Sequence, residues 1–152
     1  MGHNYEVNLY WDKLRKGVLS SPELESKIEV ATPPEFKNGM AGIWSPEHLF
    51  IASISSCFMT TFLAIAENSN FPFISLTVSA SGKLEKADTK LLFREILLSP
   101  RLTIENPNDQ ERALRILQKS ESACLITNSI LTKVILQPVI DLKSPLKTQV
   151  KQ

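Results

Sequence analysis

The spacing of apolar residues along this chain alternates between a period of two and one near 3.6, and the changes of period mark out the elements. Near the N-terminus Tyr5, Val7, Leu9 and Trp11 share one face and Glu6 and Asn8 the other, which predicts a strand. A turn at Lys16-Gly17 is expected to lead into a second short strand around Val18 and Leu19. After Ser21-Pro22 a third strand carries Ile28 and Val30, completing a small meander. Prolines and glycines then predict a loop over residues 32–42. From Ser45 the pattern becomes helical. Ser45 can cap, Pro46 suits the first helical position, and Glu47 complements the positive end of the dipole. The run stays apolar and almost uncharged until Glu67. Such a helix is expected to be buried on nearly all sides.

The alternation from Ile74 onward is the cleanest in the chain. Ile74, Leu76, Val78, Ala80 and Leu84 face one way, and Ser75, Thr77, Ser79, Ser81, Lys83 and Glu85 the other. A hairpin over residues 86–89 should return the chain through residues 92–105, with Pro100 favouring an edge position or a bulge. Asn108, with Glu111 three residues later, is expected to open a second helix. On it Ala113, Leu117, Ser120 and Cys124 form one stripe. A last strand is expected over residues 131–140, and residues 143–152 form a polar tail expected to fray. The fold class is α+β: a single domain with a mostly antiparallel sheet, a long buried central helix and a second helix. One small sheet cannot cover so apolar a helix, so a homodimer is expected.

Composition narrows the function. The 152 residues are 43% hydrophobic and 22% charged, which suits one soluble globular domain. Seventeen basic against sixteen acidic residues, with no basic stripe, argue against a nucleic-acid partner. The apolar run is diluted by Ser53, Ser55, Ser56, Thr60 and Thr61 and has no flanking basic cluster, so a core helix is expected rather than a membrane span. The start lacks the apolar core of a signal peptide, and a cytoplasmic location is expected. In that compartment two cysteines are thiols, free or cycling, rather than a permanent staple. His3, His48, Cys57 and Cys124 show no close ligand pair, so no metal is expected, and His48 reads as a helix-start residue.

Taken one at a time, the candidate residues have ordinary explanations. Free cysteine is among the most buried residue types, Glu47 suits a first helical turn, and Arg15 beside a turn is a solvated charge. Taken together they do not. Trp44-Ser45-Pro46-Glu47-His48-Leu49-Phe50 leading to Ser56-Cys57, with Ala123-Cys124 far downstream, resembles the OsmC/Ohr family of thiol-dependent peroxidases of organic hydroperoxides. The resemblance runs over roughly residues 5–140. It implies an intertwined homodimer, with Cys57 peroxidatic, Cys124 resolving, and Glu47 and Arg15 completing the site. It implies no bound cofactor, an external dithiol of the lipoyl type as reductant, and a role in oxidative stress defence. Phe50, Phe58, Met59 and Phe62 would then wall a pocket for an alkyl or lipid hydroperoxide. The alternative is a non-catalytic protein of the same fold that binds a hydrophobic small molecule. Helix geometry sharpens the first reading. Ten residues of straight helix separate Glu47 from Cys57 by about 15 Å. Either the helix breaks near residues 51–55, or the site is shared between two subunits.

Overall fold

A computed structural model describes residues 2–144. They group into two compact units, one ending at Phe50 and the other beginning at Ile51.

In the first unit β1 (Asn8–Lys13), β2 (Lys16–Ser21) and β3 (Leu24–Ala31) form an antiparallel sheet in the order β1-β2-β3. The first turn falls on Leu14 and Arg15, not on Lys16-Gly17 as the sequence suggested; those two residues open β2. Leu14 takes the left-handed turn conformation at φ 51, and the indole N–H of Trp11 donates to its carbonyl at 3.1 Å. Lys16 instead anchors the sheet, with its ammonium 2.7 Å from Glu29 and 3.1 Å from Asp12. The loop after β3 folds back on this turn. The Thr32 N–H donates to the Arg15 carbonyl at 3.1 Å, and Met40 N–H closes on Thr32 at 2.8 Å. Gly39 lies so close to the Pro33 carbonyl that no side chain fits there. Ala31 N–H then bonds Trp44 O at 2.8 Å, which delivers the chain to Ser45 and to α1 (Pro46–Asn68).

The helix α1 is one uninterrupted element of 23 residues. It has the length and composition of a membrane span, yet Ile54, Phe58, Phe62 and Ala66 are buried in the core of the second unit. Their four-residue spacing makes a single buried stripe. The expectation of burial on nearly all sides does not hold for one chain: Met59 is 40% exposed and Leu63 41%.

The second unit holds a four-stranded sheet of β4 (Ser75–Ala87), β5 (Lys90–Ile104), β6 (Lys133–Leu136) and β7 (Val139–Leu142). β4 and β5 pair antiparallel through the predicted hairpin, from Ser75 with Thr103 to Ala87 with Lys90. At Gly82 the helix packs closely on this sheet. A Cβ there would stand 3.0 Å from the Phe93 ring and 3.3 Å from the Ile51 side chain. The helix α2 (Gln110–Ser122) starts later than predicted. Asn106, not Asn108, does the capping: its side chain accepts from Asn108 N–H at 3.0 Å and opens a short 3₁₀ turn, Pro107–Asp109.

The sheet is mixed rather than mostly antiparallel. β6 and β7 both run parallel to β5, along Glu95–Leu98 and Arg101–Ile104 respectively. Parallel neighbours need a crossover connection, and the stretch holding α2 between β5 and β6 supplies it. The single predicted last strand is thus two, divided at Gln137-Pro138. β5 is internal, so Pro100 occupies neither an edge nor a bulge. It pairs with Val78 on β4 and falls in the gap between the residues bonded to β6 and β7. A residue with no N–H to give is tolerated where the partner strand is itself interrupted. The expected frayed tail lies almost wholly outside the described residues.

Candidate thiol site

Cys57 projects from α1 beside the buried stripe and is half-buried; Cys124 is fully buried, and both are free thiols. Cys124 follows directly on the end of α2. Ala113, Leu117, Ser120 and Cys124 are all buried, so the stripe read from the sequence carries the thiol into the core. Its backbone is held on both sides, by Cys124 N–H donating to Glu121 O at 3.1 Å and Asn128 N–H donating to Cys124 O at 3.0 Å.

The two sulfurs are hydrogen-bonded to each other, and their surroundings drive them apart in acidity. Burial pushes the Cys57 thiol up. Hydrogen bonds from the Cys124 thiol, the Ile126 N–H, the Thr61 hydroxyl and the Leu125 N–H outweigh it, and the net displacement is below the ordinary thiol value. Cys124 goes the other way. Burial and the neighbouring Cys57 thiol raise it, and the Thr127 N–H offsets only part of that rise. The Thr127 N–H lies 3.5 Å from the Cys124 sulfur. A pair so arranged ionises first at Cys57, with Cys124 the thiol that holds its proton longer. Chemically it can attack an electrophile at the exposed sulfur and close a disulfide from the buried one.

Arg15 and Glu47 come together in the first unit. They line a cavity of about 420 Å³ with Thr32, Pro33, Phe36, Lys37 and Pro46. Glu47 Oε2 is buried without a hydrogen-bond partner, and among the described residues no ion pair joins it to Arg15. The two residues that the resemblance puts in one site thus share a cavity without pairing with each other within one chain. Nor does α1 break near residues 51–55. His48 belongs to the helix start as read: its Nδ1 is 2.7 Å from Ser45 Oγ, which also accepts the His48 N–H at 3.2 Å.

The four candidate wall residues separate by position on the helix. Phe58 and Phe62 are fully buried, Phe62 edge-on to Phe73 with ring centroids 5.2 Å apart. They are core, out of reach of a substrate, because they lie on the stripe that faces the sheet. Met59 is exposed and Phe50 half-buried. Sequence reasoning passed over Thr61, treating it only as a residue that dilutes the apolar run. Its signal was available, since it stands four residues after Cys57, on the same helix face. Leu125 and Ile126 act through backbone N–H groups and carry no signal in side-chain chemistry.

A family model described as OsmC-like protein matches residues 39–137. The chain is 21% identical over 140 residues to the uncharacterized protein YmaD of Bacillus subtilis, covering 89% of this chain and 91% of that one. Among solved structures it is similar to an OsmC-like protein of unknown function from Vibrio cholerae, with a TM-score of 0.81 and 21% identity over 91% of this chain and all (100%) of that one. It is also similar to an organic hydroperoxide resistance protein OsmC from Legionella pneumophila, with a TM-score of 0.72 and 21% identity over 91% and 97% of the two chains.

Proposed function

Because the chain belongs to the OsmC-like protein family, we propose that it is a thiol-dependent peroxidase that reduces organic hydroperoxides to alcohols in oxidative stress defence. The observation that carries the reading is the hydrogen-bonded Cys57–Cys124 pair, with the more exposed sulfur favoured as thiolate and the buried one as thiol. The Cys57 thiolate attacks one peroxide oxygen and the O–O bond breaks. The departing alkoxide takes a proton and leaves as the alcohol, and Cys57 becomes a sulfenic acid. The Cys124 sulfur then attacks Cys57, water leaves, and a disulfide remains. An external dithiol of the lipoyl type supplies the two electrons and two protons that return both thiols.

In this reading the protein is a homodimer in the cytoplasm. The partner subunit's Arg15 and Glu47 complete each site, since nine residues of unbroken α1 lie between Glu47 and Cys57 of one chain. The unpartnered Glu47 oxygen and the exposed Met59 and Leu63 support a second copy, which would give each of them a neighbour. Met59 and Phe50 then remain as apolar wall for an alkyl or lipid hydroperoxide. The test is consumption of cumene or tert-butyl hydroperoxide, against hydrogen peroxide, with a dithiol reductant. Turnover of the organic peroxide should disappear in Cys57→Ser. Wild type without activity, or a mutant as active as wild type, would leave the reading of a non-catalytic binder of a hydrophobic small molecule ahead.

A further inference from the structure

Two buried side-chain oxygens lack a hydrogen-bond partner among the described residues, Glu47 Oε2 in the cavity of the first unit and Thr127 Oγ1. A buried polar group left unpartnered is costly, and native proteins rarely keep one without a use. Thr127 stands beside the buried thiol: its N–H lies 3.5 Å from the Cys124 sulfur, directed at it. The turn that brings the two together is tied at several points. Cys124 O accepts Asn128 N–H and Ile126 O accepts Ser129 N–H, each at 3.0 Å. The Ser129 hydroxyl donates to Leu125 O at 2.8 Å, and the Asn128 side chain donates back to Ser122 O at 3.1 Å. Thr127 is also the residue that works against the rise in the Cys124 titration point. The sulfur is fully buried, so charge that develops on it must be met by protein donors rather than by water.

We propose that Thr127 is the positioning residue of Cys124: its N–H holds the sulfur in the resting chain, and its hydroxyl, unpartnered there, hydrogen-bonds that sulfur as it takes on charge during attack on Cys57. Closing a disulfide needs no peroxide, so this role rests on the peroxidase reading only for its place in turnover.

The test uses the aromatic disulfide dithiobis-nitrobenzoate, with less reagent than protein. The Cys57 thiolate attacks it, one coloured thionitrobenzoate leaves, and Cys57 keeps the other half as a mixed disulfide. Cys124 then gives its proton to solvent and attacks the Cys57 sulfur. The second thionitrobenzoate leaves with the electron pair, and one disulfide remains in the chain. Thr127→Val keeps the branched shape and the N–H and removes the hydroxyl, whereas Thr127→Ser keeps both donors. The first release should be alike in all three chains. The second should be about tenfold slower in Thr127→Val and as fast as wild type in Thr127→Ser. A second release unchanged in Thr127→Val, or Thr127→Ser as slow as Thr127→Val, would overturn the assignment. So would a first release slowed as much as the second, since that marks a merely structural residue. Wild type without a second release would remove the resolving role of Cys124 as well. Peroxide consumption is read separately. If the second release depends on the hydroxyl but no chain consumes peroxide, the role of Thr127 stands and the peroxidase reading falls. If wild type consumes peroxide and the second release ignores the hydroxyl, the role of Thr127 falls alone.

Discussion

Cys57 and Cys124 are the same residue type in two environments, and the difference lies in where the donors stand. The groups around Cys57 hold it below the ordinary thiol value despite burial, whereas burial and the neighbouring Cys57 raise Cys124. The sign of the pH dependence follows. Above the ordinary thiol value Cys57 is ionised and fully reactive, and its reactivity should be lost only as pH falls through its lowered titration point. Alkylation of wild type should therefore reach half its maximal rate at lower pH than alkylation of free cysteine. Coincident profiles would contradict the assignment. The cysteines themselves were legible from the spacing of Pro46, Glu47, Cys57 and Cys124. Their inequality was not, because it comes from the surroundings that folding gives each sulfur, including the turn after α2.

On α1 a shift of one residue separates core from surface. Phe58 is fully buried and Met59 40% exposed, since neighbouring residues on a helix point about 100° apart. Phe58→Ala should cost about 3–5 kcal/mol and lower the melting temperature, with little effect on substrate affinity in the protein that remains folded. Met59→Ala should do the reverse, raising KM for a bulky hydroperoxide and sparing stability. Thermal melts and KM on both variants would check this, and equal losses of stability would remove Met59 from the wall. A uniformly apolar helix has no polar face to set its orientation, so the sequence could not say which stripe meets the sheet. The sheet itself was clearer. The alternation in β4 and the hairpin into β5 were plain in the pattern, but the parallel return of β6 and β7 was hidden by reading the last apolar run as one strand.

Arg15 and Glu47 line a cavity in the first unit, Cys57 and Cys124 meet in the second, and α1 runs unbroken from Glu47 to Cys57. In the proposed dimer each complete site takes one half from each subunit, which a mixing experiment can test. Cys57→Ser and Glu47→Gln should each be nearly inactive alone. Subunits allowed to exchange should recover about a quarter of wild-type turnover, because half the dimers are mixed and each mixed dimer has one intact site. No recovery after demonstrated exchange would mean that Glu47 acts, if it acts, within its own chain.

The order of the elements up to the last strand, the α+β class and the buried stripe of α2 could all be read from residue types and their spacing. Each rests on local periodicity or on a short motif, which the linear chain carries by itself. Which side of α1 is buried, where β5 finds its parallel partners, and why Cys57 rather than Cys124 is the more acidic thiol came only with folding. Those outcomes depend on groups far apart in sequence meeting at one place, as the backbone of Leu125 and Ile126 meets the sulfur of Cys57.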